Sequence, residues 1–151
     1  MIAAVSKKKT RHCFKTMVPR KIIRYCIETA KSLHKVHPNY RNKSLHFTFV
    51  FDEGRVISFG MNRRISASDL GTRFKNFYNK EFLMLHSELD AIRRTLRSLR
   101  NCSIINIRVN RAGTKIMTSK PCPYCAKLLW AIGVREIYYV NAAGKFERIT
   151  L

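Results

Sequence analysis

Two short stretches concentrate the residue types that could do chemistry. "LHSELDAI", residues 85–92, sets His86 and Glu88 two positions apart in an otherwise apolar segment. "KPCPYC", residues 120–125, sets Cys122 and Cys125 three positions apart around Pro123 and Tyr124, behind Pro121. Imidazole nitrogen and thiolate sulfur are zinc ligands. Cysteines at i and i+3 at the start of a helix turn both sulfurs the same way, and helix N-terminal amides favour the thiolates a metal needs. One histidine with two thiolates neutralises Zn²⁺ and fills three of its tetrahedral positions. The fourth is left for water, whose pKa the metal can lower to about 7. No fourth protein ligand is evident from spacing, with Cys102 left open. Glu88 beside such a water could take its proton and return it, which is general acid–base work. A lone CxxC or a lone HxE is equally well a helix-capping pair or a buried histidine. Together, at two successive helix starts with one strand between them, they point to one zinc site.

The elements that must position these residues follow from periodicity. After Pro19, apolar positions Ile22, Ile23, Cys26, Ile27, Ala30 and Leu33 recur at helical spacing. The opposite face carries Lys21, Arg24, Glu28, Lys31 and Lys35, so the helix is amphipathic and ends near His37-Pro38. Its basic stripe could track phosphates or simply be solvated. "LHFTFVF" and "RVISFGM" flank "DEG", a hairpin of two strands at about 45–51 and 55–61. Residues 62–83 read as a long loop, of the kind that is usually functional or mobile. A helix is expected from His86 to Leu99, with Leu89, Ile92, Leu96 and Leu99 on one side and Arg93, Arg97 and Arg100 on another. "SIINIRV" is a third strand, with Ile116 and Met117 continuing or returning from it. A short helix runs from Pro123 to Ile132 and stops at Gly133. "EIYYV" and "KFERITL" are the fourth and fifth strands. Residues 1–18 form a basic arm, although Phe14, Met17 and Val18 could dock; residues 19–151 form a single domain.

Composition bounds the class. With 46% hydrophobic residues the chain can bury a core despite a net charge of +21, from 30 Lys and Arg against 9 Asp and Glu. Residues 1–44 carry twelve of those bases and one acid, Glu28. Such a charge attracts polyanions over long range, so nucleic acid or another polyphosphate is the expected partner, against the plainer reading of a solubility bias or a lysine-rich composition. No apolar run reaches 18 residues, so no membrane span is expected. "MIAAVSKKKTRH" reverses the order of a signal peptide, making the cytoplasm the expected location. Five cysteines, Cys13, Cys26, Cys102, Cys122 and Cys125, favour metal binding over a disulfide framework.

"HSE" followed by "PCPYC" resembles the zinc signature of the cytidine deaminase superfamily, H-x-E…P-C-x-x-C. The resemblance runs from about residue 19 to the C-terminus. It implies an α/β, three-layer α/β/α fold around a five-stranded mixed sheet. It implies that His86, Cys122 and Cys125 hold Zn²⁺ and that a metal-activated water attacks C4 of cytosine or C6 of adenine. Glu88 would carry the proton to the ring nitrogen and the leaving amine. "GMN" resembles the family position at which an asparagine contacts the sugar, implying that role for Asn62. Ser87, Pro121 and Tyr124, beside the ligands, are candidate substrate contacts, although Tyr124 could simply pack.

Only "NAAG" separates the fourth strand from "KFERITL", and a parallel crossover needs a dozen or more residues. Strands four and five are therefore expected to be antiparallel. This resembles the division that holds free-cytidine deaminases and bacterial DNA-deaminating toxins, and departs from the deoxycytidylate, tRNA-adenosine and APOBEC/AID-like members, which carry a helix there. Free-cytidine deaminases typically use cysteine where His86 stands, and the toxin-like members use histidine. Arg63, Arg64, Arg73, Phe74, Lys75, Phe77 and Tyr78 are candidate nucleic-acid contacts, because aromatics stack unpaired bases and cations hold the backbone. The same aromatics could instead cover the core. The expected activity is deamination of cytosine in a polynucleotide, single-stranded DNA above RNA. The alternatives are a deaminase of free (deoxy)cytidine or its monophosphate, and a non-catalytic nucleic-acid-binding relative, against which the intact Glu88 argues.

Overall fold

The computed structural model describes residues 18–36, 43–64 and 84–150. Helix α1, Arg20–Val36, follows Pro19, whose carbonyl accepts the Ile22 amide at 2.9 Å. Cys26, Ala30 and His34, each four residues from the last, are its buried stripe. Strands β1, Leu45–Asp52, and β2, Arg55–Met61, pair antiparallel across a two-residue turn. Glu53 and Gly54 in that turn both have positive φ, 46° and 79°, the hand that matches strand twist.

Two short strands inside the expected 62–83 loop region and at its far end were not foreseen. β3, Arg63–Arg64, and β4, Met84–Leu85, form a separate antiparallel ladder. The candidate contacts Arg73, Phe74, Lys75, Phe77 and Tyr78 lie outside the described residues, as do Phe14 and Met17 of the arm. Val18 is buried in the core.

Helix α2 is shorter than its periodicity predicts. It spans Ser87–Arg94 and ends at Thr95, whose hydroxyl donates to the Ala91 carbonyl at 2.8 Å. The Thr95 N–H still bonds the Ala91 carbonyl, but its backbone turns extended, φ −79° and ψ 119°, a conformation its β-branched side chain favours. Leu96 is consequently fully exposed, while Leu99 reaches the core from the connecting segment. The expected arginine row dissolves with the helix: Arg97 pairs with Asp52 at the end of β1.

β5, Ser103–Val109, and β6, Ile116–Met117, return on each other, so Ile116 and Met117 do not continue the third strand. Helix α3, Pro123–Ala131, ends before Gly133, whose φ of 88° admits a residue without Cβ. β7, Glu136–Val140, lies parallel to β5, and β8, Phe146–Thr150, returns antiparallel as expected. The sheet order is β2-β1-β5-β7-β8, with β6 as a sixth strand on β5. α1 covers one face, over Phe47, Phe49, Phe51, Ile105, Ile107 and Val109. The other face packs Val50, Ile104 and Ile137 against Ala91 of α2 and Leu129 of α3. This is the three-layer mixed α/β architecture, with a sixth strand and a second small ladder added.

One glycine sets the distance between layers. A Cβ on Gly60 of β2 would lie 2.1 Å from the Ala91 nitrogen and 2.3 Å from the Ser87 oxygen. Only a residue without a side chain lets α2 lie this close to the sheet.

Candidate active site

His86 and Cys122 are the residues that cap the N-termini of α2 and α3, both in extended conformation. Each helix therefore starts at a candidate ligand, and the fold brings the two starts together. His86 Nδ1 lies 3.6 Å from Cys122 Sγ and 3.5 Å from Cys125 Sγ. The ligand atoms of the three residues all fall within 4.8 Å of one another. A tetrahedral zinc with bonds of about 2.3 Å to sulfur and 2.0 Å to nitrogen would set those donors roughly 3.5 Å apart. The donor set fits in both chemistry and spacing. Cys102, left open as a fourth ligand, is buried in the other core cluster with Val50 and Ile104.

The electrostatics favour a thiolate. A hydrogen bond from Cys125 draws the Cys122 thiol down to about 4, with burial opposing and His86 and the Cys125 amide assisting. That amide sits 3.4 Å from Cys122 Sγ, the helix-start contribution the sequence implied. The His86 imidazole is shifted upward, first by its hydrogen bond with Cys122 and against its own burial.

Beside the donors lies a cavity of about 320 Å³, lined by His46, Asn62, His86, Ser87, Glu88, Lys120 and Cys122. It adjoins the place where β5 and β7 part company, since Lys120, which lines it, follows Ser119, which bridges the two strands. Their parallel pairing covers only Ser103–Ile105 against Glu136–Tyr138. Beyond it Ser119 closes the gap, donating to the Asn106 carbonyl at 2.7 Å and accepting the Val140 amide at 2.9 Å. A larger hollow, about 440 Å³, lies at the other end of the sheet against Asp52, Ser103 and Glu136, and none of the candidate ligands lines it.

Glu88 is buried, its Oε1 accepting from Asn106 Nδ2 at 2.8 Å and its Oε2 facing the Ser87 hydroxyl at 3.3 Å. Asn62 turns its Oδ1 to the His46 amide at 2.8 Å, while its own amide donates to the His46 carbonyl. Ser87 lines the cavity, but its hydroxyl is directed at Thr48 and Glu88. Pro121 is buried, and neither it nor Tyr124, which is 44% exposed on the first turn of α3, lines the cavity. Arg63 reaches Asp90 with its Nε at 3.3 Å, and Arg64 lies beside it in β3.

Sequence reasoning missed His46, Thr48, Asp90, Asn106, Ser119 and Lys120. His46 lines the cavity with a ring that burial, helped by Arg108 and His86, pushes down to about 4, so it is neutral at pH 7. Asp90 is nearly inaccessible and accepts from the Met61 amide (3.0 Å), Arg63 and Arg94 (2.8 Å), tying α2 to the end of β2. A polar residue inside an otherwise apolar strand, as Thr48 and Asn106 are, was the available signal.

Among solved structures, the fold is similar to cytidine deaminase from Burkholderia pseudomallei, with a TM-score of 0.52 and 17% identity over 84% of this chain and 91% of that one. It is also similar to the dCMP deaminase of the cyanophage S-TIM5, solved in complex with dCMP and dUMP, with a TM-score of 0.50 and 19% identity over 80% of this chain and 82% of that one. No curated protein sequence matches the chain. The family model of the cytidine and deoxycytidylate deaminase zinc-binding region matches residues 19–141, which include both signature stretches and all the strands but β8. The chain belongs to the cytidine and deoxycytidylate deaminase family and carries its zinc-binding region.

Proposed function

We propose that this protein hydrolytically deaminates cytosine to uracil on free cytidine, deoxycytidine or their monophosphates. The carrying observation is that the Glu88 carboxylate shares one cavity with the His86 and Cys122 donors. Membership of the family supports the reaction, and the names of the similar solved enzymes support a small substrate over the polynucleotide expected from charge. A cavity of about 320 Å³ also suits a single nucleotide.

His86, Cys122 and Cys125 would hold zinc, which when bound supplies the Lewis acidity that makes water a nucleophile at neutral pH. Glu88 accepts the water's proton on a carboxylate oxygen and delivers protons to ring N3 and to the departing amine. Water is consumed, the C4–N4 bond breaks, a C4–O bond forms and ammonia leaves. Asn62, its carbonyl oxygen already held by His46, has its Nδ2 to donate to a sugar hydroxyl. Lys120 is a cation at the cavity, suited to a phosphate.

The charge favours a second reading, cytosine in a single-stranded polynucleotide. Arg20, Lys21, Arg24 and Lys35 are exposed along α1, within a chain of net charge +21. A base must leave its stack to reach such a site, so single strands or flipped bases would be the substrate.

One assay tests both. Zinc-loaded protein is incubated with cytidine, deoxycytidine, dCMP, single-stranded DNA, duplex DNA and RNA, and uracil is quantified beside the metal content. Uracil from the monomers, with one zinc per chain, is the expected result. Uracil from strands alone transfers the reading to the polynucleotide enzyme, and affinity should then fall with salt at about −0.7 per phosphate contacted. No uracil from any substrate would sink the activity.

A further inference from the structure

The geometry points to Asn106 and Thr48 as positioning residues that aim the Glu88 carboxylate, the sheet reaching up to hold the group that moves the proton. Thr48 of β1 and Asn106 of β5 are direct cross-strand partners, on the face that meets α2. Their neighbours on that face, Val50 and Ile104, are apolar core residues. Thr48 is fully buried and Asn106 is 4% exposed. Two polar side chains in such a place cost free energy unless each finds its partners.

They find them in one ring of contacts with Glu88 and Ser87. Thr48 Oγ1 donates to Asn106 Oδ1 at 2.7 Å, and Asn106 Nδ2 donates to Glu88 Oε1 at 2.8 Å. These two bonds fix the amide's orientation, since a flipped amide would turn its oxygen against the carboxylate. Having spent its proton, the Thr48 oxygen accepts from the Ser87 hydroxyl at 2.8 Å. Ser87, with one proton, faces a second acceptor in Glu88 Oε2 at 3.3 Å. Glu88 Oε1 is thereby held from the sheet side by Asn106, while Oε2 faces Ser87 at the start of α2. Each keeps lone-pair capacity for the cavity.

The consequence is orientational. A glutamate side chain turns about several bonds, and a proton carrier works only within about 2.6–3.2 Å of its target. The ring holds the last of those bonds while touching neither sulfur nor the His86 ring. Its loss should therefore lower turnover without releasing the metal or weakening substrate binding. This rests on the deaminase reading, in which Glu88 carries the proton.

The test uses the full zinc-loaded chain and whichever cytosine substrate turns over fastest. Thr48→Val keeps the shape and deletes the hydroxyl; Asn106→Ala deletes the contact to Glu88 itself. Each should lower kcat by about 10- to 100-fold, as supporting groups around metal sites do, with KM and zinc content little changed. Thr48→Ser should recover most of the loss. If Thr48→Val does not fold, Asn106→Ala carries the kinetic comparison. Independently of activity, the Asn106 side-chain amide protons should exchange slowly with solvent, and Glu88→Gln should shift their NMR resonances. An unchanged kcat, a loss matched by a rise in KM, or a loss that Thr48→Ser does not recover would overturn the positioning role while leaving the deaminase reading intact. A protected, Glu88-coupled amide in a chain that deaminates no cytosine substrate would instead end that reading, and the positioning role with it.

Discussion

The two faces of the sheet use the same strands for opposite ends. Toward α1, β1 and β5 present Phe47, Phe49, Phe51, Ile105, Ile107 and Val109, an apolar layer interrupted at its end by Ser103. On the opposite face, the alternate residues of those strands are His46, Thr48, Val50, Ile104, Asn106 and Arg108, four of the six polar. Above that second face sit Ser87, Glu88 and Asp90, all buried and all hydrogen-bonded. The first face stabilises by removing apolar area from water. The second gives up some of that stabilisation to hold polar groups in fixed orientation where the chemistry would occur. Apolar burial on one side lets polarity be tolerated on the other.

The widest separation between the faces should come from their most demanding members. Glu88→Ala should lower turnover by about 10²- to 10⁴-fold with zinc content and melting temperature nearly unchanged, checked by steady-state kinetics beside elemental analysis. Retained turnover would remove Glu88 from its role. On the opposite face, Phe47→Ala should cost about 3–5 kcal/mol of stability in denaturant unfolding. Its kcat at temperatures where the variant stays folded should remain near wild type, because Phe47 faces α1. A selective loss of kcat there would erase the division of labour.

Smaller perturbations sharpen the same contrast. Gly60→Ala inserts a methyl where α2 meets β2 and should destabilise by about 1–3 kcal/mol, or more if the backbones cannot separate. Because Ser87 and Ala91 must move to admit it, kcat should fall as well, which distinguishes it from Phe47→Ala. Leu96→Ser should be nearly silent, within about 0.5 kcal/mol, since surface sites away from special features rarely matter. A large cost would show that Leu96 is buried on a longer helix, as periodicity predicted.

Much of this was legible without coordinates because it is local. Five strands, the Glu53-Gly54 turn, the antiparallel end and the helix starts at "HSE" and "PCPYC" all follow from patterns a few residues long. The spacing of Cys122 and Cys125 sets their common direction at a helix N-terminus, whatever surrounds them. The end of α2 was misjudged because Leu96 and Leu99 continue a helical pattern although the backbone turns extended at Thr95. Periodicity records which residues are apolar, not where the backbone leaves the helix. Net charge, for its part, reports attraction to polyanions and carries no information about the volume of a cavity.

By itself, then, the sequence determined the ligand types, their spacing and the strands that frame them, since each depends on near neighbours along the chain. The resemblance implied that His86 meets Cys122 and Cys125; the tertiary structure supplies the packing that brings it to a cysteine pair 36 and 39 residues away. It alone placed Asn106 under Glu88 and His46 beside Asn62. Those meetings depend on strand register, on the splitting of β5 from β7, and on a glycine that lets one helix settle against the sheet. Such distances are set by packing between elements far apart in the chain, which no local pattern encodes.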